Sequence, residues 1–158
     1  MDVKNVLIVD DDPDVLNMLE RMLKDLDYHT YVAPNGEVAI DVIHKNKIDV
    51  VVSDLVMPQM DGMELLKRVK SQKRDIPFVM ITGHPTIETA VEAIKKGAYD
   101  YLTKPFQVEE VQIKIDRALE KRGLRKKLRW ANGMVWALII SIPIWLLLGI
   151  ILASLLGD

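Results

Sequence analysis

Four groups of residues within the first 120 positions could do chemistry together. Asp10, Asp11 and Asp12 stand in a row directly after the apolar run Val6–Val9. Asp54 follows a second run, Val50–Ser53, and Thr82-Gly83 closes a third that starts at Phe78. Lys104-Pro105 comes just after a fourth, Tyr99–Leu102. Taken singly, none is specific. An acid after a strand is often a helix cap, and Asp12 or Asp14 beside Pro13 suits that duty. Taken together, closely packed carboxylates repel one another unless a cation or proton intervenes. A hard divalent ion is the natural partner, and Mg²⁺ suits a site of few carboxylates completed by phosphoryl oxygens. Lys104 would add positive charge, and Thr82 a hydrogen-bond donor, beside the same oxygens.

Only a particular architecture gathers these groups. The β-branched runs, with a further one at Thr30–Ala33, alternate with stretches whose apolar residues recur at helical spacing, such as Val15, Leu16, Leu19, Met22, Leu23 and Leu26. Further helices are expected near Gly36–Lys45, Met63–Ser71, Ile87–Lys96 and Val108–Arg122. Strands alternating with helices imply βαβ crossovers and an α/β fold with a parallel sheet covered on both faces. Ligands of such open sheets bind just beyond the carboxyl ends of the strands. The acids, the hydroxyl and the ammonium all fall there. Asp61-Gly62 is expected as a turn pair before a helix, not as a further metal ligand. His84 leaves two readings open: control of water access next to Thr82, or an ordinary surface histidine. His29 and His44 carry no evident role.

The segments VLIVDDDP, SDLVMPQMDG, VMITGH and DYLTKPF resemble, in this order, the receiver domain of bacterial two-component response regulators. The resemblance covers roughly residues 3–120. It implies a (βα)5, flavodoxin-like doubly wound fold with strand order 2-1-3-4-5. It also implies that Asp54 is the phosphoacceptor for a histidine kinase, and that Asp10, Asp11, Asp54 and the backbone carbonyl of Val56 hold Mg²⁺. Thr82 and Lys104 match the family's switch hydroxyl and active-site lysine, and Tyr101 its switch aromatic. The Lys104-Pro105 bond is expected to be cis. Such a protein is a timed phosphoacceptor switch, catalysing its own phosphoryl transfer and slow self-dephosphorylation, and not a turnover enzyme.

Charge is distributed in blocks. Residues 1–120 carry 15 Lys/Arg and 22 Asp/Glu, a net of −7, whereas residues 121–130 carry six basic and no acidic groups. From Ala131 onward the single charge is Asp158, and Met134–Leu156 is a 23-residue stretch without any. As a helix that stretch would reach roughly 34 Å, enough to cross a bilayer core. Pro143 predicts a kink within it, or a re-entrant hairpin, and Trp130 and Trp136 suit an interface. A basic collar directly before an apolar span is the positive-inside signal. The expected organisation is a receiver at 1–120, a basic juxtamembrane linker at 121–132 and a transmembrane helix at 133–157. The expected location is the cytoplasmic membrane, single-pass, with the receiver in the cytoplasm. With no cysteine in the chain, disulfides and thiolate sites are excluded.

Expected partners are a histidine kinase, a protein effector and membrane lipid, with no nucleic acid. Small residues four apart, at Gly149, Ala153 and Gly157, allow close helix pairing and hence a homodimer. Two outputs stay open. One is a switch signalling through phosphorylation-dependent protein contact; the other is a phosphate sink or relay without an effector of its own.

Overall fold

The computed structural model describes residues 3–72 and 75–123, together with residues 139 and 141. The order of elements is β1 (Asn5–Val9), α1 (Pro13–Asp25), β2 (His29–Ala33), α2 (Gly36–Lys45), β3 (Val50–Asp54), α3 (Gly62–Ser71), β4 (Phe78–Thr82), α4 (Ile87–Lys95) and β5 (Asp100–Thr103). Residues 108–123 are helical and form α5. All strand pairs are parallel, in the order β2-β1-β3-β4-β5. This is the flavodoxin-like sheet expected from the sequence.

Alternation along the strands divides the core. Leu7, Val9, Val51, Phe78 and Met80 turn to one face, against α2 and α3. Their neighbours Val6, Ile8, Val50, Val52, Val79 and Ile81 turn to the other, against Leu16, Leu19 and Leu23 of α1 and Val111, Ile115 and Ala118 of α5. Both faces being covered, β1, β3 and β4 read as continuous apolar runs. The edge strand β2 is more mixed, with His29 packed edge-on to Tyr31.

Local chemistry sets where the helices start. Asp12 caps α1, its carboxylate accepting the Asp14 N–H at 2.8 Å, with Pro13 in the first turn. Asp61 caps α3 by accepting the Glu64 N–H at 2.7 Å, so the Asp-Gly pair serves as a helix start. Thr86 and Thr89 form a reciprocal capping box on α4. Gly62 has a separate reason to be glycine: a Cβ there would lie 2.3 Å from the backbone oxygen of Asp54.

The chain divides into two units, Met1–Arg122 and Gly123–Asp158. Two collar charges belong to the first unit. Arg122, expected to be part of a basic linker, is half-buried, its Nη1 donating to Asp49 Oδ1 at 3.0 Å and to the Asp49 carbonyl at 2.7 Å. The other Asp49 oxygen accepts the Asn5 N–H at 3.1 Å. Lys121 Nζ lies over the Tyr99 ring. Residues 124–132 of the expected linker, and the expected span at 133–157 apart from residues 139 and 141, lie outside the described residues. Among the described residues no helix is long and apolar enough to cross a membrane.

Candidate functional site

Because β2 lies on one side of β1 and β3 on the other, the crossovers leaving β1 and β3 diverge and open a crevice at the carboxyl ends of these strands. Asp10, directly after β1, and Asp54, the last residue of β3, flank it and are 2% and 6% exposed. Lys104, just beyond β5, reaches in between. Its Nζ lies 2.7 Å from Asp10 Oδ2 and 2.8 Å from Asp54 Oδ1. The remaining carboxylate oxygens are also engaged: Asp10 Oδ1 accepts the Asp12 N–H at 3.0 Å, and Asp54 Oδ2 accepts the Val56 N–H at 2.8 Å. The Lys104-Pro105 peptide is cis, and the Lys104 N–H donates to the Thr82 carbonyl at 2.7 Å.

Burial and pairing pull in opposite directions here. Burial raises the Asp10 pKa above the ordinary carboxyl range, outweighing the Lys104 hydrogen bond that would lower it. Burial would also lower the Lys104 ammonium, but Asp10 and Asp54 together more than offset this, so its pKa is raised. The lysine thus stays charged. It serves two carboxylates at once, and with both ionised the trio keeps one net negative charge.

The other expected site residues are placed as follows. Thr82 ends β4 fully buried, its Oγ1 accepting the His84 N–H at 3.2 Å. The His84 side chain is exposed, as is Val56. Asp11 is exposed, and among the described residues no group of three His, Cys, Asp or Glu is gathered to hold a metal ion. Tyr101 is half-buried, with its hydroxyl 3.1 Å from Thr89 Oγ1. Thr89 escaped the sequence reading, although a Thr-x-x-Thr pair before an apolar helix is a legible variant of the capping box.

Comparison with known proteins agrees with this geometry. The family model described as Response regulator receiver domain matches residues 6–116. Regulatory protein AtoC of Escherichia coli is 36% identical over 127 residues, covering 80% of this chain and 28% of that protein. Nitrogen assimilation regulatory protein NtrX of Azorhizobium caulinodans is 38% identical, over 79% of this chain and 28% of its own length. The chain therefore spans less than a third of these relatives. Among solved structures, NtrX from Brucella abortus superposes with a TM-score of 0.77 at 34% identity, covering 80% of this chain and 29% of that one. A receiver domain protein from Clostridium thermocellum gives 0.72 at 28% identity, covering 77% and 98%. With the match running from β1 into α5, the chain belongs to the response regulator receiver domain family, and residues 6–116 are the receiver of a two-component response regulator.

Proposed function

We propose that Asp54 accepts a phosphoryl group from the phosphohistidine of a histidine kinase, and that the phosphorylated receiver signals by contacting a protein effector. The observation that carries this reading is the Lys104 ammonium shared between Asp10 and Asp54. Transfer joins an Asp54 carboxylate oxygen to phosphorus while the bond from phosphorus to the donor nitrogen breaks. Both reactants are anionic, so the barrier falls with fixed positive charge and correct positioning. Lys104 supplies the charge, and Thr82 offers a hydroxyl at the neighbouring strand end. An apolar cleft lined by Val15, Met18 and Phe106 opens beside Lys104 and supports a protein as donor.

The residual negative charge of the trio and its oxygen-only donors fit a hard divalent cation. Asp10, Asp11 and Asp54, with the Val56 carbonyl, would hold Mg²⁺. When bound, the ion would neutralise charge on the phosphoryl oxygens. The test is incubation with a small phosphodonor and Mg²⁺, followed by intact mass. Wild type should gain one phosphoryl group, Asp54→Asn none, and chelation should stop the gain. Labelling of Asp54→Asn at the wild-type rate refutes the assignment.

Membrane tethering rests on the sequence: the uncharged stretch from Met134 to Leu156 and the basic residues before it. A span held by the hydrophobic effect resists salt, whereas surface charge is screened. Concentrated salt should therefore leave the chain on vesicles. Its release would replace the cytoplasmic-membrane, single-pass arrangement with a peripheral one, and pairing through Gly149, Ala153 and Gly157 would fall with the span. Absence of a nucleic-acid partner draws no support from the relatives, one of which is named Transcriptional regulatory protein GlrR. A sink should lose its phosphoryl group quickly and a signalling switch slowly, so the lifetime of the acyl phosphate separates the two outputs.

A further inference from the structure

We infer that the face of the receiver carrying Lys4, Lys45, Lys47 and Lys121, at the amino ends of the strands, docks on an anionic lipid surface and leaves the phosphorylation crevice turned away from it. The inference rests on the proposed membrane tether only for what keeps the receiver close to lipid. The face itself stands on the described residues.

Charge in the receiver is sorted by the end of the sheet. The stretches that run from each strand end through the first turn of the next helix (10–16, 34–39, 55–65, 83–90 and 104–111) carry ten acids and one base, Lys104. At the other end the helices finish and the chain turns into the next strand (3–4, 22–28, 42–49, 68–77, 92–99 and 120–123). Those stretches carry ten bases and six acids among the described residues. Last-turn residues such as Lys24, Lys45 and Lys95 complement helix dipoles, which accounts for part of this polarity. Lys4 and Lys47 lie outside any helix and need another reason.

One junction gathers these lysines around the end of α5. The Asn5 N–H donates to Asp49 Oδ2 at 3.1 Å, Asn5 Nδ2 donates to the Lys47 carbonyl at 2.7 Å, and Arg122 Nη1 donates to Asp49 Oδ1 at 3.0 Å. Arg122 and Asp49 cancel each other. Lys4, Lys45, Lys47 and Lys121 are exposed, and among the described residues none of them is ion-paired to an acid. The occupant follows from charge and from where the chain goes next. Gly123 leads into Arg125, Lys126, Lys127 and Arg129 and then into the uncharged stretch, so the sequence read as membrane-seeking starts beside this face. A lysine near an anionic bilayer is worth about fivefold in binding, and the attraction fades within a Debye length. The same surface repels the acidic end, so docking has a preferred orientation that keeps Asp10, Asp54 and Lys104 open to a phosphodonor.

Because the chain has no cysteine, a single introduced one carries a dye cleanly. His44→Cys marks the basic end and Glu109→Cys the acidic end, and energy transfer to an acceptor-labelled lipid reports the distance of each from the bilayer. With the full chain on vesicles, transfer from residue 44 should be higher when phosphatidylserine is mixed into phosphatidylcholine than in phosphatidylcholine alone. Concentrated salt should return it to the lower value with the chain still bound, and residue 109 should show no rise. Lys4→Gln, Lys45→Gln and Lys47→Gln together should lower the ratio of docked to free receivers about a hundredfold, three steps of about fivefold. Arg21→Gln, Lys67→Gln and Arg117→Gln remove the same charge from helix flanks and should leave the ratio near wild type. A flank variant as impaired as the first, or an equal rise at both labels, overturns the inference. If the chain stays bound and residue 44 responds alike to both lipids, the inference fails while the tether stands. If salt strips the chain from the vesicles, the tether fails, and co-sedimentation of the two triple variants with phosphatidylserine vesicles decides the face: loss in the first alone supports it, equal binding overturns it. Short duplex DNA that displaces the receiver from lipid through the same three lysines would assign the face to nucleic acid and overturn the inference.

Discussion

Gly62→Ala should disable the site without touching a reactive group. The added methyl would sit 2.3 Å from the Asp54 carbonyl oxygen, 2.8 Å from Met80 Sδ and 3.0 Å from Leu55 Cα. Non-bonded contacts settle near 3.5 Å, so something must yield by roughly 1 Å. The methionine can turn, but the backbone cannot do so cheaply. The Asp54 carbonyl accepts the Ser53 hydroxyl, the Leu55 N–H donates to Ile81 at 2.7 Å, and the Gly62 N–H donates to Leu55 at 2.9 Å. Overpacking of this kind costs about 1–3 kcal/mol, and overlap with backbone puts it at the upper end. Alanine returns under about 1 kcal/mol through its better helix propensity. The net loss is about 2 kcal/mol, or roughly 8 °C in Tm for a unit of this size. A shift of about 1 Å at Asp54 should also slow phosphoryl transfer by about a hundredfold. Urea midpoints and the rate of labelling by a small phosphodonor measure the two effects. Gly83→Ala is the control, since nothing lies within 4 Å of a Cβ there. If Gly62→Ala matches that control in both assays, close approach is not what requires glycine at this position.

Lys104→Met should slow labelling by roughly a hundredfold, since it removes fixed positive charge from the reacting oxygens. It leaves Asp10 and Asp54 to repel each other, which raises Asp10 further; its cost in urea midpoint should be smaller near about pH 5 than near about pH 8. An equal cost at both would show that the carboxylates do not feel the lysine. Tyr28, whose hydroxyl donates to Asp116, has its pKa raised by burial and by that carboxylate. The unfolded chain then gives up this proton first, and stability falls as pH rises from about 10 through the folded value. Tyr28→Phe should flatten the alkaline loss measured by urea midpoints, and an unchanged slope would assign the loss to Lys104 alone, whose pKa is also raised.

Much of the fold was legible because this sheet is covered twice. Buried on both faces, β1, β3 and β4 must be runs of apolar residues, and such runs announce both themselves and the residues that follow them. Asp10, Asp54, Thr82 and Lys104 could thus be placed from position alone. The orientation of neighbours was harder to foresee. Adjacent residues of extended chain point opposite ways, so Asp10 can meet Lys104 while Asp11 is left in solvent. Composition also concealed Arg122, since a basic residue among five others looks like linker whichever way it turns. The bond between Tyr101 and Thr89 joins positions on different elements, and no periodicity marks a meeting of two hydroxyls.

The Arg122–Asp49 pair bears on where the receiver can be cut. Both side chains are under 15% exposed, and removing one member of a buried ion pair costs about 3–5 kcal/mol. A chain stopped after residue 120 would keep every strand and all the residues matched to the family, yet it would leave the Asp49 carboxylate buried beside the Asn5 N–H with no cation. Its urea midpoint should drop accordingly, and ending two residues later should restore it. The edge of this folding unit is thus drawn by a charge that must be matched, six residues past the last position that family likeness marks.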